Sequence, residues 1–403
     1  MDREAGTRRE GRVLGAHHIA AAAFRLGAGF AVLAAAWALV VLMRGGTWWG
    51  PMHAFLAGTL LLAISGATQM FTITWAAAQP PEPGMAAAQR WAVALGVGAA
   101  LVGMTTETSW LVGLGAVLAL GGVVLLAMSL VGAVRRSLLR RFDLSARFYL
   151  LALAAGVIGI TLGGIMGSGL AGDWHSRLRL VHSHLNLVGL VGLTVVGTLP
   201  TILPTFAHHR AVSGREAMAG WWLAVAAMAA IGAGVGVGEV LVGVGTVLAA
   251  VSLGLILGGV LLRLGRRGMK GGLSYGQVAL GSIWLLAWAL VDGSRLLIDR
   301  SLDQYPAWNG AVVVSGLGQI LLGSLAYLVP VLAGAPPRLG RNLTRMTERP
   351  WIPLLLANLA GVLILTGPGS AAAVAAVLWV TDFVIRLIRL EWSDRGPVGG
   401  TED

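Results

Sequence analysis

The stretch Val181-His-Ser-His-Leu-Asn-Leu-Val-Gly-Leu-Val-Gly-Leu-Thr-Val-Val-Gly-Thr-Leu-Pro200 decides the fold. Apart from its two histidines it carries no ionisable group, and its length matches the roughly 20 residues that a helix needs to cross a bilayer. An imidazole in lipid is costly. Ionisable side chains at membrane depth face a bundle interior, a cavity or a bound ion, so the pair marks a functional position on a packed span.

Working outward, the rest of the chain repeats this apolar character. Its 403 residues are 56% apolar and only 12% charged, against about 25% charged in soluble domains. Mean hydropathy is +0.79. The expectation is an all-α polytopic membrane protein of about twelve transmembrane helices, at 17–43, 51–78, 89–106, 109–133, 145–170, 178–206, 217–237, 239–263, 274–296, 308–333, 351–367 and 370–391. Residues 1–403 form a single helical-bundle domain, with a charged tail over about 1–16 and another over about 392–403.

Charge orients the bundle. Of the 29 Lys and Arg residues, only Arg44, Arg177, Arg179, Arg295 and Arg300 fall in outer loops when both termini are cytoplasmic. Arg25 lies within the first helix and all the others fall on the inner side. Cytoplasmic loops carry such an excess, and a wrong helix count would scramble the alternation. The basic balance therefore reports topology, not nucleic-acid binding. The chain has no cysteine, which excludes disulfides, thiolate metal sites and covalently attached haem. No cleavable signal peptide is expected, because the apolar stretch after the charged N-terminus is too long for one.

In this topology His53 opens the second helix and His182 and His184 open the sixth, all in the outer leaflet. At about 100° per residue, His182 and His184 point roughly 200° apart and do not share one small ion. The face of His182 continues through Asn186, Gly189, Leu193 and Gly197, and that of His184 through Val188, Val191, Val195 and Thr198. The small residues favour His182 as the ligand of a flat macrocycle. Neutral imidazole binds haem iron, copper and zinc. The metal-ligand candidates are His53, His182 and His184, while Arg177, Arg179 and Arg295 are candidates for an anionic cofactor edge. Met52, Met70, Met104 and Met166 read as packing, and Asn186, Ser183, Thr59 and Glu107 as possible partners of the rings. Asp382 can pair with Arg386 or Arg25, and Gln69, Gln277, Gln319 and Asn358 read as helix glue. The spacing Gly156, Gly159, Gly163, Gly167 reads as a close-packing face.

The sixth-helix stretch resembles a helix of the NnrS-like and haem-copper-oxidase-subunit-I-like membrane proteins. It is most similar to the membrane portion that some bacteria fuse to copper nitrite reductases. His53-Ala-Phe-Leu-Ala-Gly and Gly318-Gln-Ile-Leu-Leu-Gly-Ser-Leu-Ala-Tyr-Leu-Val-Pro330 carry the same likeness. The resemblance implies a twelve-helix bundle in the bacterial inner membrane that holds haem b, copper or both. It also implies a role in nitric oxide handling, electron transfer or metal-stress protection. A periplasmic cupredoxin or a copper nitrite reductase-type protein would be its partner. If the chain is an enzyme, it is an oxidoreductase of nitric oxide or a related small molecule. The oxidases take haem ligands from helices two and ten and copper ligands from helices six and seven. Here His53 and the helix-six pair match, but helices seven and ten have no histidine, so a complete oxygen-reducing centre is not expected. The competing reading is a secondary transporter, whose usual layout is also twelve helices with both ends inside.

Overall fold

The computed structural model describes residues 2–137, 143–209, 214–266, 272–299, 306–333, 336–367 and 369–392. Among these the regular secondary structure is all helical, with no strand. The elements are α1 (Asp2–Arg44), α2 (Trp49–Trp75), α3 (Pro83–Thr105), α4 (Ser109–Arg135), α5 (Asp143–Gly167) and α6 (Gly172–Phe206). They continue with α7 (Arg215–Val237), α8 (Glu239–Gly265), α9 (Leu273–Ile298), α10 (Pro306–Ala333), α11 (Pro336–Thr347), α12 (Trp351–Thr366) and α13 (Gly369–Ile388). Eleven of these are long and apolar enough to cross a membrane. The protein is an all-α, multi-pass membrane protein whose apolar helices contact the lipid bilayer.

The twelfth span differs from a single straight helix. With 16 residues, α12 is short for a crossing, and it reaches span length only together with α11, to which it is bent by 44°. Helix α11 is amphipathic and rich in arginine, so an apolar-run reading passes over it. The break between α12 and α13 falls at Gly367, whose φ of +149° is open to glycine and closed to most other residues.

Among the described residues three spans contain π-helical turns: Ala54–Leu60 in α2, Leu185–Gly192 in α6 and Val312–Gly318 in α10. Such turns are rare and concentrate at functional sites. Those of α2 and α6 begin at the residue following His53 and His184 respectively. They also change which residues share a face. A π turn rotates less per residue than an α turn, so positions after it lag behind the regular projection. Thr198, projected onto the face of His184, instead meets α5, where its hydroxyl lies 2.9 Å from that of Tyr149.

The chain divides into two compact units. The first comprises residues 1–200, 213–259 and 289–303, and the second 201–212, 260–288 and 304–403. In the first, Leu61, Leu62, Val93, Val123, Leu126, Tyr149, Leu153 and Leu190 form a buried core shared by α2 to α6. Lipid is as apolar as leucine, so close packing and interhelical hydrogen bonds hold these helices together rather than exclusion from water. The glycine face of α5 shows how. Gly156 receives Leu190, Gly159 receives Asn186 and Gly163 receives His182. In the second unit, Trp284 Nε1 donates to Asn358 Oδ1 at 2.8 Å, Trp288 Nε1 donates to Asn309 Oδ1 at 2.9 Å, and the Ser315 hydroxyl donates to the Ala357 carbonyl at 2.6 Å. Asp382 pairs with Arg386, four residues on, through two hydrogen bonds of 2.7 and 3.2 Å.

Candidate functional site

The first unit brings His53 and His182 together. Their ring centres are 6.4 Å apart and their planes differ by 13°. Both side chains are half-buried.

Each ring is oriented by its Nδ1. In α2, His53 Nδ1 lies 2.9 Å from the carbonyl of Trp49, one turn earlier, and the ring stacks on the Trp49 indole at 4.1 Å and 21°. In α6, His182 Nδ1 lies 2.7 Å from the Gly159 carbonyl of α5. A carbonyl only accepts, so Nδ1 must donate in both rings, which leaves Nε2 as the nitrogen with a lone pair. Neither Nε2 makes a hydrogen bond among the described residues. The result is two imidazoles of fixed tautomer, each holding an unused basic nitrogen.

Glycine makes this approach possible. A Cβ placed on Gly163 would lie 2.6 Å from His182 Cε1, and one on Gly159 would lie 2.5 Å from the Asn186 amide nitrogen. Any side chain at either position would push His182 or its neighbour Asn186 away from α5. Asn186 in turn donates to the His182 carbonyl at 2.8 Å and supports the start of the π turns.

His184 is placed differently. Its ring is buried, with Nδ1 2.8 Å from the Leu180 carbonyl and Nε2 2.8 Å from Asp292 Oδ2 of α9. Asp292 Oδ1 accepts a further bond from Arg295 Nη2 at 3.1 Å. Both nitrogens of His184 are therefore engaged within the protein, one by the Leu180 carbonyl and the other by Asp292. Arg295 is buried and engaged by Asp292. Arg177 lies over the Trp174 ring, 5.5 Å from its centre, and Arg179 is exposed. The six candidates thus separate into an open His53–His182 pair, a closed His184–Asp292–Arg295 cluster, and two arginines outside both.

Sequence reasoning missed three members of this arrangement. Trp49 stands four residues before His53, a helical spacing that signals a neighbouring side chain. Gly159 acts through its carbonyl, which no side-chain pattern reveals. Asp292 is 108 residues from His184, and nothing local selects it as the partner.

Among the described residues no group of three or more His, Asp or Glu side chains converges to hold an ion. The open pair offers two nitrogens. That suits a metal that brings most of its coordination shell with it, and it does not suit the four protein ligands of structural zinc. No protein-family model matches the chain, and no curated protein matches it.

Proposed function

We propose that His53 and His182 would hold a b-type haem through their Nε2 atoms, and that the protein is an electron-transferring haem protein of the bacterial inner membrane. The separation of the two rings carries this reading. Two imidazoles that share one metal, each bonded at about 2 Å, need ring centres within roughly 6 Å of each other. The observed value is 6.4 Å, with the rings near-parallel.

Haem bound there would supply one-electron chemistry. The chain's own residues do the holding. The carbonyls of Trp49 and Gly159 keep the Nδ1 protons in place and fix the ring orientations, leaving the two Nε2 atoms as the donors. With both imidazoles engaged, the protein would itself supply the ligands of a bound haem. Electron relay is therefore favoured over nitric oxide reduction, and a periplasmic cupredoxin or nitrite reductase-type protein is the corresponding partner. Copper alone, which the same two nitrogens could also hold, is the lesser form of this reading. The transporter reading gains no support, because the two compact units do not follow the consecutive six-helix halves of a duplicated carrier.

The test is to purify the full chain from haem- and copper-replete cells, then record oxidised and reduced spectra and the metal content. A reduced spectrum of six-coordinate haem that carbon monoxide leaves unchanged supports the proposal. Stoichiometric copper without haem supports the lesser form, and a colourless, metal-free protein overturns both.

A further inference from the structure

In the second unit, α11 grips the chain just beyond α13. Arg338 Nη1 donates to the Trp392 carbonyl at 3.0 Å, and Arg345 Nη1 donates to that of Arg389 at 2.9 Å. Asn342 bonds the Glu391 backbone in both directions, at 3.0 and 2.9 Å. The Glu391 carboxylate pairs with Arg341 at 2.7 Å and Arg345 at 2.8 Å. Arg386, buried, is bound by Asp382 and donates to the carbonyls of Met346 and Glu348.

Two arginines remain outside this web. Arg349 and Arg389 are exposed, and their guanidinium groups make no hydrogen bond or ion pair among the described residues. The web links the two backbone segments that carry them. Arg345 holds the backbone of Arg389, while Arg386, one turn before Arg389, holds the carbonyl of the residue preceding Arg349. Arg349 itself has φ of +42°, a conformation that costs a non-glycine residue energy and persists only where its surroundings impose it.

The neighbouring surface is that of a membrane boundary. Trp351 and Trp392 are 64% and 58% exposed, as indoles at headgroup depth are, and the exposed Ile385, Ile388 and Leu355 continue the surface along the helices. The arginines here outnumber the carboxylates of Asp382, Glu348 and Glu391. A planar guanidinium binds a phosphate oxygen pair in register, and basic clusters beside span ends attract anionic lipid.

We propose that Arg349 and Arg389 form a binding site for the phosphate headgroup of an anionic phospholipid, whose acyl chains lie along α12 and α13. The site is independent of any cofactor.

The full chain, purified in neutral detergent, is titrated with phosphatidylglycerol or phosphatidylcholine, and lipid retention is read by native mass spectrometry beside the melting temperature. Retention of phosphatidylglycerol should exceed that of phosphatidylcholine and fall with salt. At about fivefold per arginine, the R349Q/R389Q variant should retain phosphatidylglycerol about 25-fold less well, with unchanged melting in lipid-free detergent. R349K/R389K, which keeps the charge but loses the planar fork, should fall between the native chain and the glutamine variant. Equal retention of the two lipids, or unchanged retention in the glutamine variant, overturns the site. Stabilisation by inorganic phosphate equal to that by phosphatidylglycerol also overturns it, since the site would then take a soluble anion.

Discussion

His182 turns towards α5 and spends one ring nitrogen on the Gly159 carbonyl, whereas His184, two residues along the same helix, meets an acceptor at each nitrogen. The first ring is half-buried beside His53, with its Nε2 unused. The second is buried against Asp292, which also holds Arg295. The residue type, the helix and the depth are the same for both. What differs is the number of acceptors each ring meets, and this separates a ligand-ready imidazole from one that ties two spans together.

The sharpest way to break the comparison is to remove the rings one at a time. His53→Ala and His182→Ala should each abolish the six-coordinate haem spectrum, lowering haem content more than tenfold, while His184→Ala leaves the spectrum in place and lowers stability. If His184→Ala loses haem as completely as His182→Ala does, the assignment of the open pair fails. Next in size is Asp292→Ala, which leaves His184 and Arg295 without their shared carboxylate. Breaking a buried pair on one side costs about 3–5 kcal/mol, so a large drop in melting temperature is expected with little change in the spectral band positions of whatever protein folds.

A smaller effect sharpens the role of α5. Gly163→Ala puts a methyl group where the His182 ring lies, a misfit of the overpacking kind that costs about 1–3 kcal/mol. It should also shift the haem redox midpoint, because the ring must tilt. The same change at Gly98, where a Cβ meets nothing within 4 Å, should do neither. The smallest effect tests the π turns. Tyr149→Phe removes the hydroxyl contact with Thr198 and should cost about 1 kcal/mol in thermal unfolding. A neutral result would indicate that Thr198 lies elsewhere, on the face that a regular helix gives it.

Much of the fold was legible because membrane crossing imposes strict terms on composition. A span must be apolar over its whole length, and eleven of the twelve expected segments appear as helices of crossing length. The exception, α12, is short and leans on α11, whose charge hides it from a search for apolar runs. The site was legible in part. The divergence of His182 and His184 follows from helical rotation, but the small residues expected to leave room for a macrocycle beside His182 are covered by α5, with Gly189 against Ala155 and Gly197 against Phe148. The identity of the partners was not legible. Asp292 lies 108 residues from His184, and His182 binds a backbone carbonyl on α5.

The sequence by itself determined that this chain is an all-helical membrane bundle and that a few histidines stand at one level of it. Those conclusions rest on hydropathy and charge, which are properties of single residues and short windows. Only the tertiary structure decided that His53 faces His182, that His184 is closed off by Asp292, and that π turns rotate Thr198 onto α5. Distances between spans depend on glycine contacts and on single extra residues per helical turn, and a linear pattern of residue types does not encode either until the helices are packed.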